Sequence, residues 1–305
     1  MHYPFISVVM VTHNGEMYVS EQLQTVLQQT VQNFEFIILD NASNDGTYTI
    51  LQTFAKQNSN IRLFHNDINN GANKGFEQAM LLATGSFIAP CDQDDVWEPN
   101  KLEIMLTYLD DQTIFAFSRQ GQFENSRFEQ RSYPQSYLFR NVTDARQLIF
   151  HTPVSGHACI FRKSLLKQCL PFPDDVYYDW WISMNAVSVS VLKYVPHTLT
   201  WQRLHSSNAS LQTYRLSKKV QYQQLRQQRI TLLEHYFVRN KIQTEASLSL
   251  KQYLVALKQL HQSSFSKAMF KYVINNRKWV FHYKRKGVGF LSHLKYAIRM
   301  AGGAV

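Results

Sequence analysis

Three aspartates fall within four residues, Asp92, Asp94 and Asp95, directly behind the short apolar run Ser86–Pro90 and Cys91. Like charges packed this closely are costly unless a cation or a turn absorbs them. One reading is a loop in which Asp95 caps a helix beginning near Pro99. A calcium loop is excluded, although Asp92, Asp94 and Glu103 match its positions 1, 3 and 12. Its sixth position requires glycine and is Trp97 here, and Pro99 stands at the eighth. The remaining reading is a Mg2+ or Mn2+ site whose coordination shell is completed by a diphosphate, as hard cations with few protein ligands prefer. Asp40 is a further carboxylate ending an apolar run, Phe34–Leu39. Asp179 stands between Tyr178 and the pair Trp180-Trp181. An apolar aromatic setting raises a carboxylate's pKa toward the range of a general base. The same residue also suits the cap of a helix over Trp180–Val187.

These carboxylates need strands to bring them together. Phe5–Thr12 is a β-branched apolar run that ends at His13-Asn14-Gly15 and reads as a buried parallel strand. Phe34–Leu39, Ile61–His65 and Ser86–Pro90 read as three more, with helices predicted over Val19–Leu27, Thr49–Lys56 and Gly75–Ala83 between them. Strand–helix alternation at this spacing argues for right-handed βαβ units, a mostly parallel sheet covered on both faces. Ligands of such sheets bind at the carboxyl ends of the strands, which is where Asp40 and Asp92–Asp95 lie. G-x-G-x-x-G, P-loop, H-E-x-x-H and C-x-x-C patterns are all missing, so phosphates would be held by metal and side chains.

Charge divides the chain. Of 305 residues, 32 are Lys or Arg and 22 Asp or Glu, a net +10. Residues 1–205 carry 14 basic and 20 acidic side chains, whereas residues 206–305 carry 18 basic and 2 acidic, so the parts sum to −6 and +16. Beyond 206 strand signals stop. Helical spacing recurs over 247–262, 265–283 and 290–301, with basic polar faces. Three cysteines, Cys91, Cys159 and Cys169, argue against a disulfide scaffold and fit a reducing cytosol. No apolar run approaches the ~20 residues of a membrane span, and no secretory leader is expected.

The runs Ser7–Gly15, Asp40-Asn41-Ala42-Ser43-Asn44-Asp45-Gly46-Thr47, Asn70-Gly71-x-Asn73-Lys74-Gly75 and Gly85–Trp97 together resemble the family-2 glycosyltransferases. The Asp92-Gln93-Asp94-Asp95-x-Trp97 form and Tyr178-Asp179-Trp180-Trp181 are most similar to the bacterial rhamnosyltransferase-type branch. The resemblance covers about residues 5–210. It implies the GT-A fold (Rossmann-like, with helices on both faces of the sheet) plus a C-terminal α-helical extension. It also implies inverting transfer of a sugar from a nucleotide diphosphate to a saccharide or lipid-linked saccharide in surface-polysaccharide synthesis.

Carried over by position, Thr12 and Asn14 would line the nucleotide pocket, Asp40 would accept the N3–H of uracil or thymine, and Lys74 would join the donor contacts. Asp92 would hold the ribose or a metal-bound water, Asp94 would ligate Mg2+ or Mn2+, and Asp95 would support that loop. Asp179, supported by Trp180, would be the catalytic base. Trp201-Gln202-Arg203-Leu204-His205 resembles the family's closing motif, which would turn Arg203 toward the diphosphate and make His205 a third metal ligand. Asn41 replaces a second acid that the family often carries after its second strand. Ser155-Gly156-His157 reads as a turn or a wall of the acceptor pocket, with no role for the imidazole.

The domains expected are a catalytic one over 1–210, with a nucleotide-sugar half of about 1–100 and an acceptor half of about 101–210, and a basic helical region over 211–305. That region suits an anionic membrane surface, at ~1 kcal/mol per basic residue, or simple packing on the catalytic domain. Together these point to a cytoplasmic protein peripheral on the cell membrane. Three other classes are weaker. A nucleic-acid-binding protein fits the basic balance but has no recognition signature and an acidic front half. A non-catalytic sugar-binding protein would not need the carboxylate set. A nucleotidyltransferase would need a glycine-rich basic fingerprint at its first strand.

Overall fold

The computed structural model describes residues 4–133, 138–206, 208, 217–241, 244–260, 265–283 and 289–302. The boundary expected near 210 lies outside them. By contacts the chain forms two compact units, Met1–Pro134 with Pro153–Leu204, and Gln135–Thr152 with His205–Val305.

The first unit alternates β1 (Ile6–Thr12), α1 (Val19–Leu27), β2 (Phe34–Asn41), α2 (Thr47–Gln57), β3 (Ile61–Asn66), α3 (Gly71–Leu81) and β4 (Phe87–Cys91). It continues with β5 (Val96–Trp97), α4 (Lys101–Leu106), β6 (Phe115–Glu124), β7 (Cys159–Arg162), α6 (Leu166–Cys169), α7 (Tyr178–Ala186) and β8 (Leu192–Leu204). α5 (Arg146–Phe150) belongs to the second unit. The eight strands form one sheet in the order β3-β2-β1-β4-β7-β6-β8-β5. The first four are parallel, as their continuous β-branched runs require. β7 is antiparallel to β4 and β6, and β5 to β8, while β6 and β8 run parallel. Ile6, Val8, Met10, Phe36, Ile38 and Ala89 fill the core against Leu23 and Val26 of α1.

Register sets the rim. Thr12 pairs with Asp40 and Asp40 with His65, so these residues at the ends of β1, β2 and β3 stand in one row. Met10 pairs with Cys91, after which the chain turns into Asp92–Asp95 beside that row. The long strands β6 and β8 have no counterpart among the strands expected from sequence. Their outer halves mix polar and apolar residues, as in Ser118-Arg119-Gln120-Gly121-Gln122, and give no clean period of two.

The second unit is helical, with α5, α8 (Lys218–Arg239), α9 (Glu245–Leu260), α10 (Lys267–Asn275), α11 (Arg277–Val280) and α12 (Phe290–Ala301). The helix expected over 265–283 is broken at Asn276, whose side chain donates to the Tyr272 carbonyl at 3.0 Å and accepts from Ser249 at 2.9 Å. The segment 135–152, expected in the acceptor half, clusters with these helices for a physical reason. Phe150 packs on Tyr253 with ring centroids 4.9 Å apart, and Arg146 pairs with Asp144 at 2.7 Å and Glu245 at 2.9 Å. No helix among the described residues is long and apolar enough to cross a membrane.

Candidate active site

Asp179 lies in the first turn of α7, and its two carboxylate oxygens accept backbone N–H groups from separate elements. Oδ1 takes that of Trp180 at 2.7 Å and Oδ2 that of Gly156 at 3.0 Å. Burial pushes its pKa above the ordinary carboxylate range, the two N–H donors and His157 oppose this, and the charge of Asp92 adds to it. Gly156 is required here. A Cβ on it would stand 2.0 Å from the Tyr178 hydroxyl oxygen, which closes over this turn with its ring stacked on Phe76 at 4.2 Å. On α3, Asn73 fixes the loop before α7, accepting from the Tyr178 N–H at 3.0 Å and donating to the Val176 carbonyl.

The residue after Gly156 is the one sequence reasoning missed. His157 is 3% exposed. Its Nδ1 lies 2.8 Å from Asp92 Oδ2 and 2.7 Å from Asp95 Oδ2, and its Nε2 lies 2.7 Å from Gln120 Oε1. Each ring nitrogen faces an oxygen acceptor, which favours the doubly protonated imidazolium. Burial opposes that charge, but the two carboxylates outweigh it and raise the pKa well above the usual histidine value. Burial pushes the Asp95 carboxyl up in turn. Beneath them Lys101 is buried, its Nζ donating to the His157 carbonyl and resting 3.2 Å over the Trp97 ring, its pKa brought down to about 7 by burial. The only sequence signal for His157 is its place beside Gly156, which no spacing rule singles out.

Ligand atoms of Asp92, Asp95 and His157 lie within 4.8 Å of one another, close enough to hold a metal. The donor chemistry divides this group. Carboxylates are the donors that Mg2+ and Mn2+ take, and the His157 imidazole offers a nitrogen only on giving up the proton it shares with them. Asp92 is 41% exposed, whereas Asp95 is buried, with Oδ2 lacking an aligned hydrogen bond. The fit is therefore to exposed carboxylates of the 92–95 turn, and His157 holds that turn from behind. His205, expected as a ligand, belongs to the second unit, where its N–H donates to Asn208 Oδ1 at 2.6 Å. Among the described residues, the histidine grouped with the carboxylates is His157. Asp95 supports the loop through His157 and the Arg203 N–H, and caps no helix.

Arg203, expected on the diphosphate, is 1% exposed and turned inward. Nε donates to the Asp94 carbonyl at 2.8 Å, one terminal nitrogen to the Asn125 carbonyl, and the other pairs with Glu21 at 2.5 Å. The planar fork thus clamps the turn that carries Asp94. A lysine in its place reaches only some of these acceptors, so Arg203→Lys is expected to cost about 1–3 kcal/mol for each buried group left unpaired. Thermal denaturation should register this as a melting point several degrees lower.

Near the end of β2, Asp40 is fully buried and accepts from Thr12 Oγ1 at 2.8 Å, Ser43 Oγ at 2.6 Å and the Ser43 N–H at 3.1 Å, with His65 Nδ1 at 3.0 Å. Both oxygens are satisfied inside the protein. Direct contact of Asp40 with a base is therefore not what this geometry provides, and Thr12, also buried, serves it as a donor. Asn14 is exposed in the left-handed region, φ 49°, and its side-chain Oδ1 accepts the Asn44 N–H at 2.9 Å. Gln93 bridges the turns after β1 and β4 through both main-chain groups of His13, at 2.9 and 3.1 Å. Lys74 is 42% exposed and pairs with Asp174 at 3.0 Å and Glu77 at 3.8 Å, so its ammonium is engaged by carboxylates outside the aspartate turn. Cys91 is buried, with its thiol pushed up by burial, and is no nucleophile.

A parallel half-sheet whose strand ends carry a carboxylate turn, extended by a mixed half that brings in Asp179, defines the GT-A class of fold. Residues 7–170 match the family model Glycosyl transferase family 2. That is more than half of the chain, and the chain belongs to this family. Escherichia coli (strain K12) has a relative described as putative colanic acid biosynthesis glycosyl transferase WcaA, 30% identical over 168 residues, or 55% of this chain and 60% of that protein. The chain thus spans about 60% of that relative's length. Among solved structures, S. aureus TarS 1–349 in complex with UDP-GlcNAc aligns with a TM-score of 0.62 at 17% identity, over 91% of this chain and 82% of that one. A mannosyltransferase from Pyrobaculum calidifontis, PcManGT, in complex with GDP-Man and Mn2+, aligns with a TM-score of 0.58 at 16% identity, covering 98% and 86%. At these identities the likeness concerns the fold.

Proposed function

We propose that the protein transfers a sugar, with inversion, from a nucleotide-diphosphate donor of the uridine or thymidine type to a saccharide or lipid-linked saccharide acceptor, using Asp179 as the base. The observation that carries this reading is the pairing of two buried devices in one turn. Gly156 holds Asp179 by its N–H, and the adjacent His157 holds Asp92. A carboxylate kept off the ordinary range by burial stands beside a turn suited to a diphosphate and its cation.

In the proposed reaction Asp179 takes the proton of an acceptor hydroxyl as its oxygen attacks the anomeric carbon. The diphosphate departs on the opposite face, which inverts the centre. Mg2+ or Mn2+ held by Asp92 and Asp94 would stabilise charge on the departing diphosphate more than on the bound donor. Arg203 and His157 act by fixing the turn. With Asp40 turned inward, the exposed Asn14 amide is the group on that rim we assign to the base, and Asp40 is its support through Ser43. We assign catalysis to about residues 1–210, and to residues 211–305 contact with an anionic membrane on the cytoplasmic face.

A panel of nucleotide sugars, with dTDP-rhamnose first, tests this by donor hydrolysis and thermal shift. One donor class is expected to be turned over with Mn2+ or Mg2+, lost with a chelator and restored by the ion. If no nucleotide sugar shifts the melting point or is hydrolysed with either ion, the reading fails.

A further inference from the structure

The last helix, α12, has a partnered face and an unpartnered one. Inward, Ala297, Met300 and Ala301 are buried, and His293 stacks on Phe281 at 4.2 Å while Tyr296 meets that ring edge-on at 5.0 Å. Outward, Leu291 is 74%, Phe290 60% and Ile298 49% exposed. Leu291, Lys295 and Ile298 are spaced four and three apart, so they form one stripe, with Arg299 beside it. Large aliphatic side chains held in water on a helix are costly, and here they alternate with cations.

The surrounding charge is one-sided. Beyond Glu245 the sequence has eleven Lys and Arg and no Asp or Glu. A second copy docking through this face would bring cation against cation. Nucleic acid would satisfy the lysines but give Leu291 and Ile298 nothing to bury them. An anionic lipid surface satisfies both, phosphate headgroups for the cations and the acyl boundary for the aliphatic side chains.

We propose that the outer face of α12 is the element that inserts into the headgroup region of an anionic membrane, with Leu291 and Ile298 as the apolar wedge and Lys295 and Arg299 on the phosphates. This deepens, and rests on, the assignment of residues 211–305 to a membrane surface.

Co-sedimentation of the full chain with vesicles tests it, comparing phosphatidylglycerol mixed with phosphatidylcholine against phosphatidylcholine alone. Wild type is expected to bind only the anionic vesicles. The double variant Leu291→Ser/Ile298→Ser is expected to bind them at least about tenfold more weakly, and Lys295→Gln/Arg299→Gln about 30-fold more weakly at low salt. Both pairs replace exposed side chains, and unchanged thermal denaturation would confirm their folding. If the Leu291/Ile298 variant binds like wild type while general charge reduction in 211–305 abolishes binding, this face is wrong and the membrane assignment survives. If wild type ignores both vesicle types, or prefers DNA to anionic vesicles, both fall.

Discussion

Asp179→Asn is expected to lower kcat by about 10³-fold with a true acceptor, since a positioned base contributes roughly 10²–10⁴. The donor KM should stay within a factor of about two, because the change removes a group used in the transition state rather than in donor binding. Asparagine fills the same volume but keeps one oxygen acceptor where the aspartate uses two, so one of the N–H groups of Gly156 and Trp180 is left facing an NH2 group, and the turn should persist at a cost of about 1–3 kcal/mol. The pH profile separates the base from a structural carboxylate. Burial disfavours the charged form and raises the Asp179 pKa, so the competent base accumulates as pH rises through a value above the ordinary carboxylate range. Wild-type kcat/KM should show that rising limb on its acid side, and Asp179→Asn should lack it. Near-normal transfer by the variant, or an identical acid limb in both proteins, would remove Asp179 from the mechanism.

The parts of this site that are legible in the sequence are those fixed by local pattern. Ser7–Thr12, Phe34–Leu39 and Ser86–Pro90 are strands that a buried parallel sheet demands, and a strand end announces its own rim, so the chain's pattern alone puts Asp40 and Asp92–Asp95 there. Orientation is not legible. Whether Asp40 faces a ligand or the protein depends on Thr12, Ser43 and His65, which reach it from 28, 3 and 25 residues away. Arg203 is the same case, since its acceptors sit on α1, on the aspartate turn and at Asn125, and a motif read along the chain cannot show that its donors are already engaged. His157 is invisible for a related reason. Its role comes from β4, β6 and the turn before β7 meeting in space, and a lone histidine after a glycine carries no periodic signal. The helical unit is visible through its 3.6-residue period, but Gln135–Thr152 joins it by aromatic and ionic contacts that composition does not encode.

Replacing His157 by alanine should leave Asp92 and Asp95 facing one another without their shared cation. Removing one partner of a buried ion pair typically costs about 3–5 kcal/mol, because the remaining charge is stranded, and Asp95 is 1% exposed. The shifts give the loss two opposed pH dependences. In wild type the His157 pKa is raised well above its unfolded value, so the imidazolium contributes its full stability below about pH 6.5 and loses it only as pH rises through the higher folded value. In the variant, Asp95 is expected to have an even higher pKa than in wild type, where burial already pushes it up. Folding of the variant therefore takes up a proton at low pH and incurs the charged-burial penalty as pH rises. Losing the first contribution enlarges the deficit of His157→Ala at low pH and the second enlarges it at high pH, so urea denaturation should show a deficit of about 3–5 kcal/mol at both pH 5 and pH 7.5, together with a raised donor KM. No deficit at either value would mean that the imidazole balances no charge. His157→Gln sharpens the test, since its amide can hydrogen-bond one of the carboxylates but carries no charge. If glutamine restores stability at pH 7.5, hydrogen bonding alone holds the turn; if it fails there and succeeds at pH 5, the cation is what holds Asp92 in place.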